Sequence, residues 1–304
     1  MTDIVVTEFL DPEPLKLLKL SYNVHVDTTL WSKPRELEAL LAKAVGIIVR
    51  NRTQVTADLI AKAPKLRVIG RLGVGLDNID LEACKARKIK VCPAMGANAV
   101  SVAEYVVASS LLLARFSAYN ATAALINGEW PREKTGGGLE LDGRQLGVIG
   151  YGNIGQTVAG RARALGMTIA AFDEYVPISS AAWKDTKRLD LDELLATSDV
   201  VTLHCPLTPE TRNLINAKRL SSMKKGALLI HTARGGVVDE AALAQSLKAG
   251  HLGGAAVDVF TIEPINNATG AIFKGVPNLI LTPHIAGVTL QSTDRISSVT
   301  VNFK

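Results

Sequence analysis

The chain has 304 residues, 47% of them apolar and 21% charged, which is room for roughly two domains of about 150 residues and excludes a disordered or collagen-like protein. Lysine and arginine exceed aspartate and glutamate by 34 to 29, a net +5, and no run of like charge gathers the excess as a nucleic-acid arm or polybasic membrane segment does. Nucleic acid is therefore not an expected partner, and a small anionic ligand suits the balance. Cys84, Cys92 and Cys205 show no C-x-x-C or Cys/His ligand spacing; no metal and no disulfide are expected, and reduced thiols point to the cytoplasm.

The N-terminus carries Asp3 and enters an apolar alternation at once, unlike a signal peptide. Strands are expected at 4–9, 23–27, 45–49, 67–70 and 89–92, with helical patterns between them, a small doubly wound sheet. Residues 101–115 (SVAEYVVASSLLLAR) form a helix in which Ser101 and Glu104 have capping-box spacing. Its apolar stretch at 105–114 holds two serines and falls short of the ~20 residues that span a membrane, so no membrane partner is expected. The stretch 127–143, with Trp130, Pro131 and glycines 136–138, reads as a loop. A second set of strands follows at 146–150, 168–172, 200–204, 227–231, 254–257 and 279–282, and 289–304 is helical and able to return onto the first sheet. Alternating strands and helices from end to end make the fold class α/β: two doubly wound parallel-sheet lobes.

The most specific local signal is LGVIGYGNIG at 146–155, a strand entering Gly150-x-Gly152-x-x-Gly155 and then a helix. Glycine there permits a tight turn and close backbone approach to a pyrophosphate, whose charge the helix N-terminus receives. The next strand ends in Asp173, 18 residues past Gly155, with Glu174 after it and no arginine nearby. An acid in that place favours the free ribose hydroxyls of NAD over the 2′-phosphate of NADP. Arg234, Asp258, Glu263 and His284 all follow strands of the same sheet, whose carboxyl ends face the ligand crevice of such folds. Histidine is the natural proton donor to a carbonyl receiving hydride, a nearby carboxylate favours its imidazolium, and arginine holds a carboxylate in a planar fork.

VRNRTQV at 49–55, RLGVGLDNID at 71–80, SVAEY at 101–105, GYGNIG, HCPLT at 204–208, TARGG at 232–236, DVFTIEP at 258–264 and PHIAG at 283–287 together resemble the D-isomer-specific 2-hydroxyacid dehydrogenases, over nearly the whole chain. Within that family the patterns of D-3-phosphoglycerate and sulfolactate dehydrogenases are nearest. The resemblance implies a flavodoxin-like substrate-binding lobe (1–97 and 286–304), a Rossmann NAD-binding lobe (98–285), a site in the cleft and a homodimer. It makes Arg234 the binder of the substrate carboxylate, His284 the acid/base and Glu263 its partner. It adds Asn153, Ile154, His204, Cys205, Pro206, Ala233 and Asp258 to the cofactor-binding set, with Asp258 beside the nicotinamide carboxamide.

Arg50, Arg52 and Arg71, with Gly73, Val74 and Gly75, are the expected substrate-binding residues. Three arginines exceed what lactate or glycerate requires, so the expected substrate is a D-configured 2-hydroxy acid with a phosphate or sulfonate tail. Hydroxypyruvate or glyoxylate reduction is the alternative, and a non-catalytic NADH-sensing corepressor is a second one, although no polar docking tail is present. Departures from the family pattern are His231 before the arginine motif, the asparagine-bearing loop at 265–275, and no regulatory domain after the core. His25 and His251 are expected at the surface, and Trp130 and Arg132 either in a dimer arm, as the resemblance implies, or in a plain surface loop.

Overall fold

The computed structural model describes residues 2–301. Its contacts gather into two units, Met1–Asn98 with Val288–Lys304, and Ala99–Gly287. In the first, β1 (Ile4–Val6), β2 (Val24–Val26), β3 (Gly46–Val49), β4 (Val68–Arg71) and β5 (Lys90–Pro93) pair in parallel in the order β2-β1-β3-β4-β5. This is the flavodoxin-like order. Strands buried on both faces read as unbroken apolar runs, and the pleat deals their side chains to two cores. Val5, Ile47 and Val49 join Leu37, Leu41 and Ile60, while Ile4, Val6 and Ile48 join Leu10, Leu18 and Ile296. Ile296 belongs to the helix Leu290–Val301, which returns to cover the sheet. A Cβ on Gly70 would lie 2.8 Å from Thr300 Cγ2, so glycine in β4 sets how closely that helix seats. The final three residues of the expected tail, 302–304, lie outside the described residues.

In the second unit β6 (Gln145–Ile149), β7 (Thr168–Phe172), β8 (Lys187–Arg188), β9 (Val200–Leu203), β10 (Leu228–His231), β11 (Gly254–Val257) and β12 (Leu279–Leu281) form a parallel sheet ordered β12-β11-β10-β9-β6-β7-β8. Chain order reverses between β6 and β9, the switch point where such sheets bind ligands. Two cores again flank the sheet, one around Ile149, Leu203, Leu229 and Val257, the other around Val148, Ile169, Ile230 and Ala256.

Three local expectations need correction. The helix begins at Ala99, not Ser101, and Ser101 is buried inside it. Ala99, Val102 and Ala103 are buried too, so packing sets the helix start and the S-x-x-E spacing does not act as a cap. The stretch read as a loop contains a turn of helix, Arg132–Thr135, whose Thr135 N–H and hydroxyl both donate to Pro131 O. The two-residue β8 was not expected, because an exposed Lys-Arg pair carries no apolar alternation. Among the described residues no helix is long and apolar enough to cross a membrane.

Candidate active site

In the second unit, three loops at the carboxyl ends of β10, β11 and β12 hold the expected Arg234, Glu263 and His284. Glu263 Oε2 lies 2.7 Å from His284 Nδ1, and Glu263 Oε1 accepts from the Phe260 N–H at 2.8 Å. Burial pushes the Glu263 carboxyl up, but the hydrogen bonds from His284 and Phe260 and the positive charges of His284 and Arg234 outweigh it and hold the group below the usual carboxylate range. A Cβ on Gly235 would overlap the Phe260 carbonyl, so only glycine directly after the arginine lets the Arg234 loop lie against the segment leading to Glu263. The Thr261 N–H and hydroxyl donate to Glu240 at 2.6 and 2.7 Å, which ties down the same segment.

His284 has φ of 57°, a left-handed conformation unusual outside glycine and a strain that surrounding contacts must hold. Those contacts centre on Asp258, 1% exposed. Its Oδ1 accepts from the Thr282 hydroxyl at 2.5 Å and the Ile285 N–H at 2.8 Å, its Oδ2 from the Ala286 N–H at 2.8 Å, and its carbonyl from the His284 N–H at 2.8 Å. Asp258, expected beside the nicotinamide, thus builds the histidine loop with both oxygens. The Thr282 hydroxyl also meets Tyr105 Oη at 2.7 Å. Sequence reading missed Thr282 and Glu240, and saw Tyr105 only as part of a helix start.

At the switch point Gly150 has φ of +88°, and a Cβ there would press into His204 and Cys205. Gly155 faces the Gly150 carbonyl with no room for a side chain. Gly152, by contrast, opens the twelve-residue helix Asn153–Ala164, which also takes in Ile154, with open space where its Cβ would be. One glycine makes the turn, one the helix packing, and one leaves the amide-lined approach clear, so these residues fit a dinucleotide pyrophosphate. Asp173, at the end of β7, accepts from the Tyr151 N–H at 2.7 Å and from the Tyr175 and Val176 N–H groups at 2.8 and 3.0 Å. Tyr151 itself turns inward, stacked on Trp183 with its hydroxyl 2.6 Å from that of Thr186.

His204 Nε2 lies 3.0 Å from the Thr202 hydroxyl; burial, with His231 beside it, pushes this imidazole down to about 3. His231, 1% exposed at the end of β10, is pushed down to about 4, chiefly by burial. Both rings are neutral at pH 7. Burial raises the Cys205 thiol to about 11. Pro206 is exposed and Ala233 buried. His25 and His251 are corrected from surface residues: each is half-buried with its Nε2 out of contact with solvent.

In the first unit the loop after β3 carries Arg50 and Arg52. A residue that sequence reading passed over, Glu8, lies beneath it and accepts from the N–H groups of Arg50, Asn51, Arg52 and Thr53 at 2.8 to 3.3 Å. Asn78 Nδ2 fastens the other side, donating to the carbonyls of Arg50 and Thr53 at 3.2 and 2.7 Å. The Arg52 guanidinium sits 4.9 Å over the Trp31 ring. Arg71 is half-buried and donates through Nη1 to the Leu72 carbonyl at 3.0 Å; it packs where Gly73, at φ +147°, has no side chain, with Val74 and Gly75 half-buried beyond. Among the described residues no three His, Cys, Asp or Glu side chains cluster to hold a metal.

A family model described as D-isomer specific 2-hydroxyacid dehydrogenase, NAD binding domain, matches residues 108–286. The chain is 47% identical over 303 residues to the (S)-sulfolactate dehydrogenase of Chromohalobacter salexigens, covering 99% of this chain and 97% of that protein. It is 43% identical over 285 residues to the D-3-phosphoglycerate dehydrogenase of Methanocaldococcus jannaschii, covering 93% of this chain and 53% of the relative, so it spans about half of that protein's length. A solved structure of D-lactate dehydrogenase from Aquifex aeolicus, complexed with NAD and lactic acid, superposes with a TM-score of 0.84 at 33% identity, covering 98% of this chain and 93% of that one. A family match across more than half of the chain, together with end-to-end identity to a relative of the same length, means that this chain belongs to the D-isomer specific 2-hydroxyacid dehydrogenase family and is one of its NAD-dependent enzymes.

Proposed function

We propose that the protein interconverts a D-configured 2-hydroxy acid and its 2-keto acid, and that the acid carries an anionic group on C3: 3-sulfolactate first, 3-phosphoglycerate second. The observation that carries the choice of tail is the loop at 50–53, where two arginines ride on a backbone tied from below by Glu8 and Asn78. Sulfolactate ranks first because the 47% identity runs the length of both chains. The S descriptor of that relative's substrate is the D arrangement in space, since sulfur on C3 ranks the tail above the carboxylate, reversing the order found in lactate.

When bound, NADH would supply the hydride to C2 in reduction and NAD⁺ would accept it in oxidation. In the reducing direction, charge grows on the carbonyl oxygen and His284 donates a proton to it; in the oxidising direction the same ring takes the hydroxyl proton. Glu263 holds the ring by Nδ1 and leaves Nε2 for the substrate oxygen. Arg234 grips the C1 carboxylate with its planar fork and orients C2. Asp173 sets the preference for NAD over NADP, and Gly152 with Asn153 at the helix start receives the pyrophosphate.

The test is steady-state NAD reduction with (S)-3-sulfolactate, 3-phospho-D-glycerate, D-lactate and D-glycerate. A charge-assisted contact is worth about 1.5–3 kcal/mol, so kcat/KM for at least one charged-tail acid should exceed those for the uncharged acids by roughly tenfold or more. Equal values would overturn the tail assignment. They would favour reduction of hydroxypyruvate or glyoxylate, the reading supported by the stacking of Arg52 on Trp31, a contact that needs no ligand.

Two further assignments complete the proposal. The enzyme is a homodimer, supported by the exposure of Tyr119, Leu125, Ile126 and Trp130 along one segment, the last two at 79%. Sedimentation should show a dimer that Ile126→Asp with Trp130→Asp dissociates, and a monomeric wild type would overturn this. It works in the cytoplasm, supported by three free cysteines.

A further inference from the structure

Extending the parallel register of β1 and β3, in which Val6 pairs with Ile48, brings Glu8 level with Arg50. There the chain buries a carboxylate, 5% exposed, under the loop that carries Arg50 and Arg52. Its two oxygens take four consecutive backbone amides: Arg50 at 2.8 Å, Asn51 at 3.3 Å, Arg52 at 3.1 and 3.2 Å, and Thr53 at 3.0 Å. Successive N–H groups converging on one point make a cradle of the kind that binds external anions. Here the chain fills it with its own carboxylate. The carbonyl side of the loop is fixed independently by Asn78, and the Thr7 and Thr53 hydroxyls, 2.7 Å apart, tie its end to the residue before Glu8.

We infer that Glu8 is a positioning residue for recognition of the substrate's anionic tail: by filling the amide cradle, its carboxylate fixes the backbone from which Arg50 and Arg52 project and leaves the two guanidinium groups as the loop's anion donors. The inference rests on the tail assignment proposed above. Two features separate this role from simple packing. A buried charge is expensive to place beside apolar neighbours unless its hydrogen bonds are complete, and a neutral side chain would satisfy at most part of a four-amide cradle. Glu8 also bonds the arginines' main chain rather than their guanidinium groups; among the described residues neither Arg50 nor Arg52 is ion-paired. The carboxylate therefore sets the arginines' positions without consuming their charge.

The test measures kcat and KM for (S)-3-sulfolactate and for D-lactate in wild type, Glu8→Gln, Arg50→Ala and Arg52→Ala. Glu8→Gln puts an N–H donor against amides that need an acceptor. It should raise KM for 3-sulfolactate about tenfold while kcat, and both constants for D-lactate, stay within about twofold. Loss in equal proportion on both substrates, or no loss, while either arginine variant lowers the sulfolactate-to-lactate ratio of kcat/KM, would overturn the role of Glu8 and leave the tail assignment standing. If both arginine variants keep the wild-type ratio, the tail assignment itself fails and the role of Glu8 falls with it. Should circular dichroism show that Glu8→Gln does not fold, Asn78→Ala loosens the same loop from its carbonyl side, with a sulfolactate-selective rise in KM supporting the proposal and a uniform loss overturning it.

Discussion

In the first unit Glu8 accepts four consecutive amides of the loop after β3; in the second, Asp258 accepts two amides and a hydroxyl of the loop after β12. Both carboxylates are buried and follow a strand end, and each organises the loop of a neighbouring strand. They differ in what the loop carries. His284 is held twice, through its backbone by Asp258 and through its ring by Glu263, whereas Arg50 and Arg52 are held through their backbone by Glu8, with only the Arg52 guanidinium resting on a ring, that of Trp31. Proton transfer requires an atom fixed to a fraction of an ångström, while a long cationic arm needs only a fixed root.

The comparison predicts that damage to the second loop is the more severe. His284→Ala and Arg234→Ala should each lower kcat by about 10² to 10⁴, with NADH binding, followed by fluorescence titration, nearly unchanged; near-wild-type turnover in either variant would break the assignment of the proton donor or of the carboxylate fork. Asp258→Ala leaves the buried Ala286 amide and the part-buried Ile285 amide without their acceptor, and the Thr282 hydroxyl with Tyr105 alone. At about 1–3 kcal/mol for each buried group left unsatisfied, urea unfolding should show a loss of roughly 3 kcal/mol or more. A change under about 1 kcal/mol would mean that the His284 loop holds its left-handed turn by other means.

Smaller effects sharpen the contrast. Asp173→Ala should narrow the NAD-to-NADP ratio of kcat/KM by about tenfold, the value of a single charge-assisted hydrogen bond; an unchanged ratio would show that this carboxylate only supports its turn. The smallest effect is one of pH. Burial raises the Glu8 carboxyl, but the amides of Thr53, Arg50 and Arg52 outweigh it and hold the group below its ordinary value of 4.5. A carboxyl lower in the folded than in the unfolded chain adds stability that is complete above the unfolded value and disappears as pH falls through the folded one. Wild type should therefore lose stability relative to Glu8→Gln as pH drops below about 4.5. Parallel pH profiles for the two proteins would contradict this linkage.

The elements and most of the chemistry-bearing residues are legible in local patterns alone. Eleven of the strands announce themselves as short apolar runs bounded by turns, and GYGNIG, ARGG, the glutamate at 263 and the histidine at 284 each sit where a strand end must place them, because parallel βα layering sends every such loop to the same end of its sheet. What holds those loops is settled by contacts between distant parts of the chain. Glu8 meets its amides across 42 to 45 positions, Asn78 its carbonyls across 25 and 28, and Asp258 its amides across 27 and 28, separations at which no periodicity or motif links one residue to the other. The same reason makes Ser101 a buried helix residue rather than a cap, turns Tyr151 away from the glycine turn, and sets Arg52 on Trp31. Local patterns record which face of an element is buried, whereas a hydrogen bond between loops depends on strand register, which exists only once the sheet has formed.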